Sequence, residues 1–186
     1  MLIMLYFKLY GIGKGIYLVG LKMNTKNSKL YYSFQTPIGI LTACEENGAL
    51  VSLTKDISPA VSTDQPPSAL LAETKNQLTE YFKGTLKEFS IPVCPHGTAF
   101  QQKVWEELRH IPYGETRSYE EIATAIGNRK AVRAVGSANN RNPIIIITPC
   151  HRVIGKRGDL TGYALGLEIK RYLLELESGY CHWPGR

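Results

Sequence analysis

The sequence predicts an α+β protein: a small β-rich N-terminal domain, then a mostly helical C-terminal domain carrying a helix-turn-helix. Three observations predict it. Short β-branched and aromatic runs, punctuated by turn residues, fill positions 28–56. From Thr98 onward, helical spacings with capping boxes dominate. Between them, "TLKEFSIPVCPHG" (85–97) holds two prolines and reads as a linker. The 186 residues are 44% hydrophobic, enough for one ordinary core or for two small lobes sharing a surface. The expected division is an extension over 1–22, an N-terminal α/β domain over 23–93 and a C-terminal domain over 94–186.

Each element has a local reason. Residues 1–22 are apolar but broken by Lys8, Lys14 and several glycines. Their longest uncharged run is too short to span a bilayer, and no charged leader precedes a small-residue cleavage site. Met23 opens a polar start, so an upstream initiation is expected, with a weak membrane-surface anchor as the alternative. "KLYYSFQT", "IGILTACEE" and "ALVSLTKD" read as three strands, and Asn47-Gly48 between two apolar runs signals a hairpin. After the proline-bearing connection "ISPAVSTDQPPS", Leu71, Leu78 and Phe82 define a helix from about Ser68 to Lys83, stopped by Gly84. Thr98 with Gln101 caps the next helix, whose stripe is Phe100, Val104, Leu108 and Ile111. Ser118 with Glu121 caps a short helix closed by Gly127. "AVRAVGSAN" continues helically until Asn142-Pro143. "IIIIT" then reads as a buried strand leading to Pro149-Cys150. A last helix begins near Gly166, with Leu165, Ile169, Tyr172, Leu173 and Leu176 on one face.

Composition narrows the partners. Cysteines 44, 94, 150 and 181 form no CxxC pair or dense framework, which points to free thiols in a reducing compartment. Cys94 and His96 lie close together, but nothing nearby completes a four-ligand set, so no metal is expected. Net charge is +6. No acid falls between Glu121 and Asp159, while Arg129, Lys130, Arg133, Arg141, Arg152, Lys156 and Arg157 do. Such a window suits a polyanion, and equally a solvated basic face.

Two motifs carry chemistry. Residues 119–126 and 130–139 form a helix-turn-helix pattern, or a plain helical hairpin in a core. The second helix presents Ala131, Ala134, Gly136, Ser137 and Ala138, small enough for close approach to a duplex, and one long cation, Arg133. That surface predicts binding through phosphates and shape, with weak sequence preference. The second motif is "ITPCHRVIG" (147–155). Cys150 there is either a small buried hydrophobe or a nucleophile. A rigid strand before it, Pro149 fixing the turn, and basic His151 and Arg152 after it favour a thiolate. Adjacent residues do not face each other in regular structure, so His151 would reach the sulfur through a water and would need a third group to orient it.

The segments "FQQKVWEELRHIPYGET", "SYEEIA", "KAVRAVGSANNRNP", "PCHRVIG" and "LTGY" together resemble the O6-alkylguanine-DNA alkyltransferases, also called methylated-DNA–protein-cysteine methyltransferases. The likeness runs from Gly97 to Glu177. It implies a ribonuclease-H-like N-terminal β domain and a (winged) helix-turn-helix C-terminal domain. It implies an enzyme of direct DNA repair: a methylated-DNA–protein-cysteine S-methyltransferase that moves an alkyl group from O6 of guanine, or O4 of thymine, to Cys150 once per molecule. The partner would be double-stranded DNA holding alkylated guanine. A cytoplasmic (or, in a eukaryote, nuclear) monomer without cofactor or metal is expected.

The resemblance also assigns roles. Cys150 is the acceptor, His151 takes its proton through a water, and Glu177 polarises His151. Tyr119 donates to the guanine ring nitrogen, Arg133 fills the vacated base stack, and Asn142 holds the turn. Backbone groups of Cys150 and Val153 accept from the guanine amino group, and the Ala164 amide faces O6. Tyr119, Val153, Tyr163, Ala164 and Leu165 would line the pocket. Ala131, Ala134, Gly136, Ser137, Arg141 and Arg152 would accompany Arg133 on DNA. Leu165 stands where the family commonly has glycine, which would narrow the pocket, and Thr148 stands where an aliphatic residue is usual. A non-enzymatic sensor of alkylated bases and a cysteine hydrolase are the competing readings.

Overall fold

Backbone alternation and turn chemistry build the first part of the chain. The structure, a computed structural model, describes residues 29–55 and 66–179. The extension over 1–22 and most of the proline-bearing connection lie outside the described residues. Strands β1 (Leu30–Thr36), β2 (Gly39–Glu46) and β3 (Ala49–Thr54) form an antiparallel meander. Asn47 and Gly48 both have positive φ, 53° and 78°, as a tight two-residue hairpin requires. Helix α1 (Ala69–Phe82) is capped by the Ser68 hydroxyl, which accepts from the Leu71 amide at 3.2 Å. Its Leu71, Leu78, Tyr81 and Phe82 are buried in one core with Phe34, Leu41, Ala43, Leu50 and Leu53 of the sheet.

The remaining chain is mostly helical. Helix α2 (Ala99–Arg109) opens on the Thr98–Gln101 capping box and buries Val104, Trp105 and Leu108. A two-residue strand β4 (Arg117–Ser118) leads into α3 (Tyr119–Ala125), capped by the Ser118–Glu121 box. A 3-10 turn over Arg129–Ala131 enters α4 (Val132–Asn140), so the helix-turn-helix is present. Another 3-10 turn, Cys150–Arg152, precedes β5 (Val153–Ile154), which pairs in parallel with β4. Helix α5 (Leu167–Ser178) buries Ile169, Tyr172, Leu173 and Leu176 and ends on Gly179. No helix among the described residues is long and apolar enough to cross a membrane.

One expected element is absent. Residues 144–148 are not a strand but a series of turns, with Ile146 at φ 69°. Ile144, Ile145, Ile146 and Ile147 are all buried, so burial has no alternation to distinguish strand from coil. What sets the path is a side chain. Asn142 Oδ1 accepts from the Ile144 amide at 3.0 Å, and Nδ2 donates to the carbonyls of Ile144 at 3.2 Å and Thr148 at 2.8 Å. These bonds satisfy backbone groups that a ladder would otherwise satisfy. Only the start of the run touches the sheet: Leu53 N donates to Pro143 O at 2.8 Å, and Ile145 N to Leu53 O at 3.1 Å. The expected linker also packs on β3, with Leu50 N donating to Pro92 O at 2.8 Å and Cys94 N to Leu50 O at 2.9 Å. The β3 edge of the meander is thus covered by the segments at 92–94 and 143–145.

Asn142→Ala should therefore cost about 2–4 kcal/mol, because buried backbone partners lose their bonds. A urea titration should show a lower midpoint at unchanged slope. A midpoint within error of the parent would show that the turn holds without the amide.

Candidate active site

Cys150 begins a 3-10 turn, held by its amide donating to Thr148 O at 2.8 Å and its carbonyl accepting from Asn139 Nδ2 at 3.2 Å. Its sulfur accepts from Asn142 Nδ2 at 3.0 Å, so one amide shapes the preceding turn and holds the thiol. Cys150 is only 2% exposed, so the sulfur is closed to a visiting base. Burial pushes the thiol's pKa up, opposed by the Asn142 hydrogen bond and the nearby charge of Lys170. The expected thiolate stabilisers, His151 and Arg152, point elsewhere.

They point at Glu177. His151 Nε2 meets Glu177 Oε1 at 2.8 Å. Arg152 grips the same carboxylate with Nε on Oε2 at 2.8 Å and Nη2 on Oε1 at 2.9 Å. Arg152 Nη1 donates to Ile111 O at 2.6 Å. Arg152 is therefore not a DNA contact but a buried counter-ion, because only an opposite charge makes a sealed carboxylate tolerable. Gly114 N donates to Glu177 Oε2 at 3.1 Å. Glycine is required there: φ is 77°, and a Cβ would stand 3.2 Å from the Glu177 carbonyl. Burial opposes the charge of Glu177, yet the hydrogen bonds and charges of His151 and Arg152 outweigh it and hold the carboxyl well below its usual range.

A carboxylate can only accept, so the His151 proton sits on Nε2 and Nδ1 is left with a bare lone pair. Nδ1 is buried without a partner. Burial pushes the imidazole pKa down, against the pull of Glu177, so the ring is a neutral base at neutral pH. Glu177 and His151, named together in the sequence reading, are thus in direct hydrogen-bond contact.

Of the expected pocket residues, Tyr119, Val153 and Tyr163 lie around Thr161, Lys170 and the Cys150 sulfur. The Tyr119 hydroxyl donates to Thr161 O at 3.1 Å. Lys170, fully buried in α5, donates from Nζ to Val153 O at 2.6 Å and to the same Thr161 O at 2.9 Å. No carboxylate pairs with Lys170 among the described residues. Burial lowers its pKa to about 8, opposed by attraction to the Cys150 sulfur. The Tyr163 hydroxyl is buried beside that sulfur, outside ordinary hydrogen-bond geometry. Leu165 is half-buried against the core, and Ala164 is exposed. The two carbonyls expected to accept from guanine, of Cys150 and Val153, already hold Asn139 and Lys170; each keeps a second lone pair.

On the opposite side of α4, Arg133, Ala134, Ser137 and Arg141 share an exposed face, with Ala131 and Gly136 half-buried beside it. Gly136 abuts the Tyr119 ring, so this helix packs beside Tyr119. The basic window is less free than its composition implied. Glu120 takes Arg129 at 2.7 Å and Lys156 at 2.8 Å. Those two pairs hold the Glu120 pKa down at about 2. Lys130, Arg133, Arg141 and Arg157 are exposed and make no ion pair among the described residues.

Sequence reasoning missed Lys170, Asn139 and Tyr81. The first two carry a readable signal, a polar residue on the buried face of an amphipathic helix. Lys170 is three residues before Leu173 and seven before Glu177 on α5, and Asn139 is four after Val135 on α4. Tyr81 sits in an ordinary aromatic stripe, and only its distant partner Glu177 gives it meaning.

Comparison with known proteins accords with this geometry. Residues 99–179 match the family model for the 6-O-methylguanine DNA methyltransferase DNA-binding domain, and residues 29–95 the model for its ribonuclease-like domain. The chain is 53% identical over 157 residues to a methylated-DNA–protein-cysteine methyltransferase of Methanosarcina acetivorans, covering 82% of this chain and 100% of that one. It is 49% identical over 155 residues to the constitutive Bacillus subtilis counterpart, covering 79% and 94%. Among solved structures, the Mycobacterium tuberculosis O6-methylguanine methyltransferase superposes with TM-score 0.74 at 46% identity, covering 83% of this chain and 95% of that one. The M. tuberculosis OGT in complex with DNA gives 0.72 at 47%, covering 81% and 94%. With both domains matched and a whole-length relative more than half identical, this chain belongs to the 6-O-methylguanine DNA methyltransferase family.

Proposed function

We propose that this chain repairs DNA by direct reversal, moving a methyl or other alkyl group from O6 of guanine onto Cys150. The observation that carries the reading is the buried Cys150 sulfur held by Asn142 at 3.0 Å, beside a neutral His151 whose proton is fixed on Nε2 by Glu177. The bare Nδ1 of His151 takes the thiol proton through a water. The thiolate then attacks the alkyl carbon: an S–C bond forms, the C–O6 bond breaks, and its electron pair leaves with the guanine. Tyr119 offsets that charge by donating to the ring nitrogen. A thioether sulfur is a poor leaving group, so one molecule acts once. The displacement needs no electron carrier.

The closed thiol sets a condition on entry. The base must leave the duplex, at a cost of a few kcal/mol, and the loop holding Thr161 must release. Thr161 O holds both Tyr119 Oη and Lys170 Nζ, so Tyr119, the donor that receives the base, is engaged until it arrives. Arg133, exposed and unpaired on α4, takes the vacated place in the stack, while Lys130, Arg141 and the small residues Ala131, Ala134 and Ser137 meet the backbone. Lys170, the buried cation nearest in charge effect to the sulfur, stabilises the thiolate in the role first given to Arg152.

Three outcomes are expected. Intact mass after mixing with O6-methylguanine duplex should rise by one methylene on the Cys150 peptide, and Cys150→Ala should abolish the gain with near-parent DNA affinity. An unmodified peptide with retained affinity would instead favour a damage sensor, and repeated turnover on an ester would favour a hydrolase. Arg133→Ala should slow transfer from duplex by about tenfold while sparing reaction with free alkylguanine base; equal losses on both would remove the stacking role. Lys170→Met should move the pH dependence of single-turnover transfer to higher pH, because the thiolate loses a cation and its pKa rises further. An unmoved profile would show that Lys170 serves only the fold.

A further inference from the structure

We propose that Tyr81, a side chain of the N-terminal lobe, is a positioning residue for the Glu177–His151 pair; its relevance to transfer rests on the function proposed above. Tyr81 lies in the last turn of α1, is 0% exposed, and donates from its hydroxyl to Glu177 Oε1 at 2.7 Å across 96 residues of sequence. Packing alone does not call for a hydroxyl there. The ring sits among Phe82 at 5.5 Å, Phe89 at 5.4 Å and Tyr113 at 6.1 Å between centroids, where phenylalanine would fill the same space. A buried hydroxyl costs stability unless it is bonded, and this one is bonded to the atom that fixes His151.

The chemical consequence follows from what Oε1 accepts. It takes three donors: His151 Nε2, Arg152 Nη2 and Tyr81 Oη. Burial and the adjacent carboxylate push the phenol's pKa far up, so it remains a neutral donor. A neutral donor tempers the negative charge on Oε1 without adding a cation. Without it, Oε1 pulls harder on the Nε2 proton and stabilises imidazolium, raising the affinity of Nδ1 for protons. The other titratable or charged groups facing the pair are Tyr113, Cys150, Arg152, Tyr163 and Lys170. Tyr81→Phe leaves all five in place.

The test is the titration of the His151 ring by NMR in Tyr81→Phe, with single-turnover transfer measured alongside. The His151 pKa should rise by about half a unit or more, and the acid limb of the single-turnover pH profile should move to higher pH by a similar amount, because imidazolium cannot take the thiol proton. DNA affinity should stay at the parent value, since Tyr81 reaches no surface. Phe82→Leu, in the same aromatic cluster, reports plain loss of packing: its His151 titration should stay with the parent. A His151 titration in Tyr81→Phe that superimposes on the parent, or an equal shift in Phe82→Leu, overturns the proposal. The titration needs no DNA, so a parent chain that takes no methyl group would overturn the transfer reading separately and leave the ring measurement decisive for Tyr81.

Discussion

A buried carboxylate is the constraint on which this structure turns. Removing a charge such as that of Glu177 from water costs several kcal/mol unless it is paired and hydrogen-bonded. The chain meets that cost with five hydrogen bonds: from Tyr81 in α1, Gly114 in the turn after α2, His151 beside the thiol, and twice from Arg152. Each donor belongs to an element that must be docked before the charge is tolerated. The two lobes, the turn before β4 and the reactive turn are therefore fixed together by one side chain of α5. Burial above all, with a smaller contribution from the Arg152 charge, outweighs the pull of Glu177 and keeps His151 a neutral ring.

The same logic explains where the sulfur sits. A thiol in the core is protected but a poor nucleophile, because burial disfavours the thiolate. Foremost among the features that counter this at Cys150 are an amide N–H from Asn142 and the charge of Lys170, itself without a carboxylate partner among the described residues. A buried ammonium that meets two carbonyls and the Tyr119 ring but no carboxylate is costly, and its charge lowers the pKa of the Cys150 thiol. The carbonyls that satisfy it belong to Val153 and Thr161, on the walls of the site. Closing the site and preparing the thiol thus use the same side chain.

Legibility followed the range of the interaction. The hairpin at Asn47-Gly48 and the capping boxes at Thr98 and Ser118 were readable because a few adjacent residues decide them. The isoleucine run at 144–147 was misread because complete burial erases periodicity, and the deciding bonds come from Asn142. Arg152 was misassigned for a related reason: within its window it is one base among seven, and only the approach of α5 separates it from the surface cations.

Read alone, the chain yields the element order and the helix-turn-helix, and it singles out Cys150 as a candidate nucleophile without deciding between that and a buried hydrophobe. Local spacing and the Pro-Cys-His-Arg order are written along the chain. Folding alone turns Arg152 inward onto Glu177, brings Tyr81 to the same carboxylate and Lys170 to the Val153 carbonyl, and closes the thiol. Those outcomes depend on which distant groups share a low-dielectric interior, where an unpaired charge or hydroxyl is too costly to leave alone, and no local pattern in the chain encodes that pairing.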